Sequence, residues 1–275
     1  MMCAWKKLLS ILPPEIGGQL DDSAREEAQE IRLRLNAPPE VSYGSRRILL
    51  SGQVTGSELD FVINLASRYS PWCAASLAKG YLTAPGGHRI GICGEAVVQQ
   101  GQVTGFRRVR SLCSRVARDF PGIGAKAPGM NGSILILGAP GLGKTTLLRD
   151  ISRQIAKKRT VCVVDERGEL FPDGFCPGDR MDILTGVPKP AGIEMALRTM
   201  GPAYIAVDEI TAEGDCAGLI HAANCGVRLL ATAHAADSED LKKREIYRNL
   251  LEKGIFQTLL VLHEDKSYHA ERMAL

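Results

Sequence analysis

The sequence predicts an α/β protein in two parts: a smaller α+β domain over residues 1–122, a linker over 123–131, and a larger domain over 132–275 on a mainly parallel sheet. Three observations predict it. The first part carries short period-two alternations and glycine-rich turns. Two Pro-Gly steps, Pro121-Gly122 and Pro128-Gly129, break the pattern. After them, continuous apolar runs alternate with helical stretches, as βα units require. The chain has 275 residues, 45% hydrophobic and 24% charged, which is ample for a packed core and excludes a disordered or collagen-like chain.

In the first part, Ser23 to Arg34 reads as a short acidic helix running into a strand, because Ile31-Arg32-Leu33-Arg34-Leu35 alternates with period two. Asn36 to Pro39 is a turn, and Ile48-Leu49-Leu50 a second strand. Thr55 to Tyr69 reads as a helix with an apolar set at Leu59, Val62, Ile63, Leu65 and Ala66. Strands are expected at 81–83, 89–93 and 95–98, joined by Pro85-Gly86-Gly87 and Gln100-Gly101 turns. Arg107, Arg108, Arg110, Arg115 and Arg118 follow, and composition alone makes them a solvated basic edge.

In the second part, Ile134-Leu135-Ile136-Leu137 is an apolar run expected of a strand buried on both faces. A helix follows over 144–158. Further buried strands are expected at 160–164, 204–207 and 227–231, with helices near 191–199 and 214–225, a helix over 241–253 and a late strand over 256–262.

Residues 1–130 hold 16 basic and 11 acidic groups, net +5, and 131–275 hold 18 and 20, net −2. The overall +3 is too small to imply nucleic acid or membrane binding. No apolar run reaches the roughly 18 residues of a membrane helix. The run after Lys6-Lys7 is too short for a signal peptide and stops at Pro13-Pro14, so a cytosolic chain is expected. The eight cysteines form no C-x-x-C pair and read as reduced and mostly buried.

The chemistry concentrates in the second part. Gly138-Ala139-Pro140-Gly141-Leu142-Gly143-Lys144-Thr145, with Thr146 after it, matches G-x-x-x-x-G-K-[ST] between a buried strand and a helix. Glycines let successive N–H groups face a phosphate, the helix adds its positive end, Lys144 reaches the β- and γ-phosphates, and Thr145 meets Mg²⁺. Ile205-Ala206-Val207-Asp208-Glu209 supplies the acidic strand end such a loop needs, with Asp208 on the magnesium side and Glu209 a candidate base. Val161 to Arg167 is a second strand ending in acids, expected next to the loop. There Glu166 is a rival base, or else a salt-bridge partner of Arg167. Leu229 to His234 ends in a polar tip, where Thr232 and His234 would sense the γ-phosphate, or else His234 is a surface or packing residue.

This ordered set, with Leu197-Arg198, resembles the secretion ATPase superfamily, the motors of type II and type IV secretion and pilus retraction. Its Asp box falls on 164–169, its Walker B strand on 205–209 and its His box on 229–234. Glu30 to Arg34, Gly87 to Glu95, Ser114 to Arg118, Val164 to Arg167 and Val207 to Ile210 resemble, more closely, the stage III sporulation AA family of endospore formers. Asp208 where secretion ATPases carry Gly, Thr211 where the sporulation proteins favour Gly, and Ser70-Pro71-Trp72-Cys73 depart from these patterns.

The resemblance implies a RecA-like ATPase using ATP and Mg²⁺, assembled as a homo-oligomer, a hexameric ring. It would act from the mother-cell cytoplasm, peripherally associated with the membrane proteins of a sporulation channel complex, and without nucleic acid. It favours Glu166 over Glu209 as the base. It also makes one arginine of 107–118, best Arg115, a finger reaching the nucleotide, often across a subunit boundary. Two alternatives stay open: a RecA-like ATPase on single-stranded DNA, which the 14 aromatics and near-neutral charge disfavour, and a nucleotide-gated scaffold with little turnover.

Overall fold

A computed structural model describes residues 2–43, 46–68, 77–172 and 174–273. Tyr69 and the departure at Ser70–Cys73 lie outside them. The chain divides into two compact units, one of residues 1–119 with 172–175, the other of 120–171 with 176–275. Residues 120–131 thus belong to the second unit.

The first unit is a six-stranded antiparallel sheet of β1 (Glu30–Arg34), β2 (Glu40–Tyr43), β3 (Arg46–Leu49), β4 (Tyr81–Ala84), β5 (His88–Gln99) and β6 (Gln102–Arg115), in the order β3-β2-β1-β6-β5-β4. Helices α1 (Met2–Leu9), α2 (Pro14–Gly17), α3 (Asp22–Glu27) and α4 (Gly56–Ser67) accompany it. The alternation in β1 works as read: Ile31 and Leu33 are fully buried, while Arg34 reaches Glu40 at 2.7 Å. Thr55 caps α4 in a reciprocal capping box with Glu58.

The two expected strands at 89–98 are one strand, β5, and the arginine run is its partner β6, central in the sheet rather than a mere basic edge. In the inner halves alternate residues are buried, His88, Ile90 and Ile92 facing the core with Leu112 and Ser114, but beyond Cys93 most side chains face solvent. Gly94 sits where the register shifts, and a Cβ there would fall 2.0 Å from the Arg108 carbonyl oxygen. Gln100 and Gly101 turn the ribbon with φ of 50° and 77°.

His88 ties this unit together. It is fully buried. Its Nδ1 accepts the Ala117 N–H at 3.1 Å, so Nε2 carries the proton and donates to the Ala4 carbonyl at 2.7 Å.

The second unit holds seven strands: β7 (Ile134–Leu137), β8 (Val161–Asp165), β9 (Met181–Thr185), β10 (Tyr204–Val207), β11 (Arg228–Ala233), β12 (Thr258–Leu262) and β13 (Tyr268–Arg272). Their order is β13-β12-β7-β11-β10-β8-β9, and all pairs are parallel except β12 with β13. Alternate residues of the central strands serve two cores. Ile134, Ile136, Val163, Ala206 and Leu230 pack with Leu148 and Ile151 of α5 (Lys144–Ala156). Leu135, Leu137, Val164, Val207 and Ala231 pack with Ile193 of α6 (Lys189–Thr199) and Leu219 of α7 (Glu213–Asn224). The helix expected over 241–253 is two short ones, α8 (Ser238–Lys243) and α9 (Glu245–Glu252).

Two expectations change. Strand β8 is not beside the phosphate-loop strand β7, since β11 and β10 stand between them. Among the described cysteine side chains, Cys162 and Cys216 are buried, Cys113 is intermediate, and Cys93, Cys176 and Cys225 are exposed. Burial pushes the thiols of Cys113, Cys162 and Cys216 up to about 11, which makes them poor nucleophiles.

Candidate functional site

The parallel strands β7, β8, β10, β11 and β12 all end at one edge of the second sheet, so their following residues converge there. β7 is apolar and buried throughout, and the chain leaves it through Gly138. Gly141 and Gly143 take φ of 80° and 102°, a left-handed backbone that glycine adopts without steric cost. The loop then feeds α5, whose first N–H groups have no intrahelical partner. Ala139 and Pro140 are exposed on the loop, and Leu142, Thr145 and Thr146 are half-buried along it.

Lys144 is turned back into its own loop. Its Nζ donates to the carbonyls of Gly138 at 2.8 Å and Ala139 at 3.0 Å, and to His234 Nδ1 at 3.0 Å. Burial pushes this ammonium below the usual lysine range, against the pull of Asp208 and Glu209. An ammonium only donates, so His234 Nδ1 accepts and its Nε2 carries the proton toward Glu209 Oε1 at 3.1 Å. Glu209 Oε2 in turn accepts from Arg167 at 3.3 Å. Lys144, His234, Glu209 and Arg167 therefore form one polar line across the ends of β7, β11, β10 and β8.

Asp208 is held by two hydroxyls. Thr145 Oγ1 donates to its Oδ2 and Thr232 Oγ1 to its Oδ1, each at 2.7 Å. Thr232 Oγ1 also accepts the Glu209 N–H at 2.8 Å. That bond fixes Glu209 at φ 49°, a conformation a side-chain-bearing residue keeps only when its surroundings enforce it. Thr232 is fully buried, and its hydroxyl fastens the acidic strand end. Thr145 and Asp208 present hard oxygen donors side by side, a pair that suits a magnesium ion whose remaining ligands are phosphate and water.

Glu166 lines the same narrow cleft as Asp208 and Glu209. Its ion pair is with Lys189 at 3.0 Å, whereas Arg167 pairs with Glu209. Lys189, buried at the start of α6, also lies 3.6 Å from Asp215. Asp165 is spent on its own loop, accepting the N–H groups of Glu169, Leu170 and Phe171. Arg115 ends β6 in the first unit, exposed and opposite Glu30 and Arg89 in the sheet. Arg118 is half-buried and donates to the Ala28 carbonyl at 2.7 Å.

Sequence reasoning missed two features. Lys189 carries no motif; only its place after Pro188, where a helix starts, hinted at a residue aimed at a strand end. A cavity of about 430 Å³ also opens beside the loop, lined by Gly141, Thr146, Phe120, Ile123, Lys266 and Tyr268 among others. Its signal was two large apolar residues, Phe120 and Ile123, inside a proline- and glycine-rich stretch that reads as a boundary.

A profile of the family described as sporulation stage III, protein AA matches residues 6–271. Stage III sporulation protein AA of Bacillus subtilis (strain 168) is 33% identical over 283 aligned positions, spanning 94% of this chain and 91% of that protein. Among solved structures, the ATPase DotB of Legionella pneumophila superposes with a TM-score of 0.62 at 18% identity, over 95% of this chain and 80% of that one. The pilus retraction motor PilT, solved with bound ADP, superposes with a TM-score of 0.64 at 15% identity, over 96% and 81%. At such identities the likeness is one of fold. The chain thus has the α/β fold of the RecA-like secretion ATPases, and it belongs to the sporulation stage III protein AA family.

Proposed function

We propose that this chain is an ATPase that works as a ring-forming homo-oligomer, from the cytoplasm, on the membrane proteins of a sporulation channel complex. The observation that carries the catalytic part is the bonding of Thr145 and Thr232 to the two oxygens of Asp208, with the single strand β11 between its strand and that of a loop whose lysine is already aimed inward. The membrane and sporulation parts rest on the family. Among the described residues no helix is long and apolar enough to cross a membrane.

In this reading Gly138 to Thr146 cradle the phosphates with backbone N–H groups, and Lys144 exchanges the Gly138 and Ala139 carbonyls for β- and γ-phosphate oxygens. Thr145 and Asp208 would hold a magnesium ion, which would supply positive charge to offset that of the phosphates. Glu209 is the better base. Its carboxylate sits next to Asp208 on a strained backbone and is aimed by His234 and Arg167. Glu166 is engaged by buried Lys189. Moving Lys144 to a phosphate withdraws it from His234 Nδ1, which makes His234 the link between phosphate arrival and Glu209. Arg115 would supply charge to the γ-phosphate from a neighbouring subunit.

The scaffold reading draws on the same line of contacts, since Glu209 is held by two cationic or donor groups before any water is placed. Magnesium-dependent phosphate release, measured with and without single-stranded DNA, separates the three readings. The motor reading expects turnover indifferent to DNA, and turnover seen only with DNA would replace it with the nucleic-acid reading. Tight binding with no turnover at any protein concentration would favour the scaffold.

A further inference from the structure

We propose that Lys189 is a positioning residue: its ammonium occupies Glu166, so that Arg167 is left to aim Glu209. This rests on the ATPase reading above, with Glu209 as its base. The narrow cleft at the ends of β8 and β10 is lined, among the described residues, by five carboxylates and two cations, Arg167 and Lys189. The two strands are parallel neighbours with Val164 opposite Val207, so Glu166 and Glu209 each come two residues after a paired position. Two carboxylates placed alike on adjacent strands compete for the same cations. Here each has its own. Glu166 takes Lys189 at 3.0 Å, and Glu209 takes Arg167 at the longer distance of 3.3 Å. Arg167 nonetheless adjoins Glu166 in the chain, so the pairing that sequence proximity favours is the one Lys189 prevents.

Lys189 sits where local rules disfavour it. It opens α6, at the helix end that carries partial positive charge, and its side chain is only 7% exposed. Asp215 is what holds it there. Asp215 Oδ2 lies 3.6 Å from Lys189 Nζ. The same oxygen accepts the N–H groups of Thr211 at 2.9 Å and Ala212 at 3.2 Å, and the Thr211 hydroxyl at 3.2 Å. Those three donors fix Asp215 on its own turn, so it serves as the anchor of the ammonium. Glu166, with 42% of its side chain exposed, is the partner free to turn elsewhere. Without Lys189 it would meet the other cation of the cleft, Arg167, or a bound magnesium ion. Glu209 would then lose the guanidinium that aims it.

Magnesium-dependent phosphate release by the native full chain and by Lys189→Met, Glu166→Gln and Lys189→Met/Glu166→Gln tests this. Lys189→Met should lower kcat by about 10- to 100-fold and leave KM within about 3-fold, as expected when a reacting group is misplaced and no substrate contact is lost. The double variant should recover to within about 3-fold of Glu166→Gln alone, because a neutral Glu166 side chain no longer competes for Arg167. Damage to the fold would not be undone by removing a second charge. Asp215 keeps three donors, so Lys189→Met should fold. If it does not, Lys189→Gln, which loses the charge and keeps a donor, replaces it in both variants. A native kcat in the single lysine variant overturns the proposal, and so does a double variant as slow as that single one. Turnover abolished by Glu166→Gln makes Glu166 the base and overturns it too. In these three results the ATPase reading stands. No turnover by the native chain at any protein concentration removes that reading, and this inference with it.

Discussion

At Lys144 one ammonium satisfies two loop carbonyls and one imidazole, so its removal has a structural and a functional consequence. Lys144→Ala leaves the Gly138 and Ala139 carbonyls without that donor. This should cost about 1 kcal/mol of stability, a small shift in Tm, because one ordinary hydrogen-bonding group is lost. Nucleotide affinity should fall by roughly 10- to 100-fold, the worth of a charge-assisted contact, and turnover should vanish. Near-normal turnover by a folded variant would remove Lys144 from the site. The two glutamates separate in the same way. Glu209→Gln should keep ATP bound and cut turnover by at least roughly the 10²-fold of an acid–base role. Glu166→Gln leaves Lys189 with Asp215 and should change turnover less, within about 10-fold. The reverse order would move the base to Glu166, and wild-type rates in both would exclude each.

Among the elements, β5 and β6 show where a sequence is hard to read. Period-two alternation identified β1 because one face is buried, and the continuous apolar run identified β7 because both are. β6 shows neither pattern along most of its length: half of its residues are exposed, and its arginines made it look like an edge although it lies between β1 and β5. Its place comes from pairing across the sheet, which no local window records. The phosphate loop, Asp208 and Glu209 were legible because their chemistry demands fixed residue types at fixed spacing. Lys189 and the cavity beside the loop were not, since the groups that meet there come from distant segments. In the first unit His88, which joins the first helix at Ala4 to the segment after β6 at Ala117, yields a pH prediction. Burial lowers its proton affinity below the ordinary histidine value of about 6.5, and the Ala117 N–H needs Nδ1 unprotonated. The unfolded chain therefore binds the proton first. The stability this contributes is full above about pH 6.5 and is lost as pH falls through and below that value. The carboxylates held low in the fold, such as Glu30 and Glu40, contribute their own loss only in the more acidic range. Tm measured from pH 8 to 5 should decline below about 6.5 in the native chain. His88→Gln, which cannot titrate, should start lower and stay flat over that window. Parallel curves would show that His88 does not set the slope.

For the whole molecule, the proposed ring makes catalysis a property of two neighbours. The chain is electrically uneven, with net +5 over residues 1–130 and −2 over 131–275, a polarity that suits head-to-tail contact between copies. Arg115 lies in the first unit, and Lys144, Asp208 and Glu209 lie in the second. If the arginine of one copy completes the phosphate loop of the next, specific ATPase activity should rise with protein concentration and fall with salt. Arg115→Ala should then bind nucleotide as the native chain does and lose turnover by roughly 10³-fold or more, the scale of an arginine finger. Mixing decides the geometry. Lys144→Ala protein keeps an intact Arg115, and Arg115→Ala protein keeps an intact loop, so a mixed ring contains junctions where one copy's arginine faces the other's loop. In an equal mixture with random assembly about one junction in four is complete, and activity should return to about a quarter of the native rate at most. An inactive Arg115→Ala protein that mixing does not rescue, under conditions where mixed rings are shown to form by native mass spectrometry, places the arginine within its own subunit or outside catalysis. Full activity in the dilute monomer rejects the ring mechanism, because a site that works alone needs nothing from a neighbour.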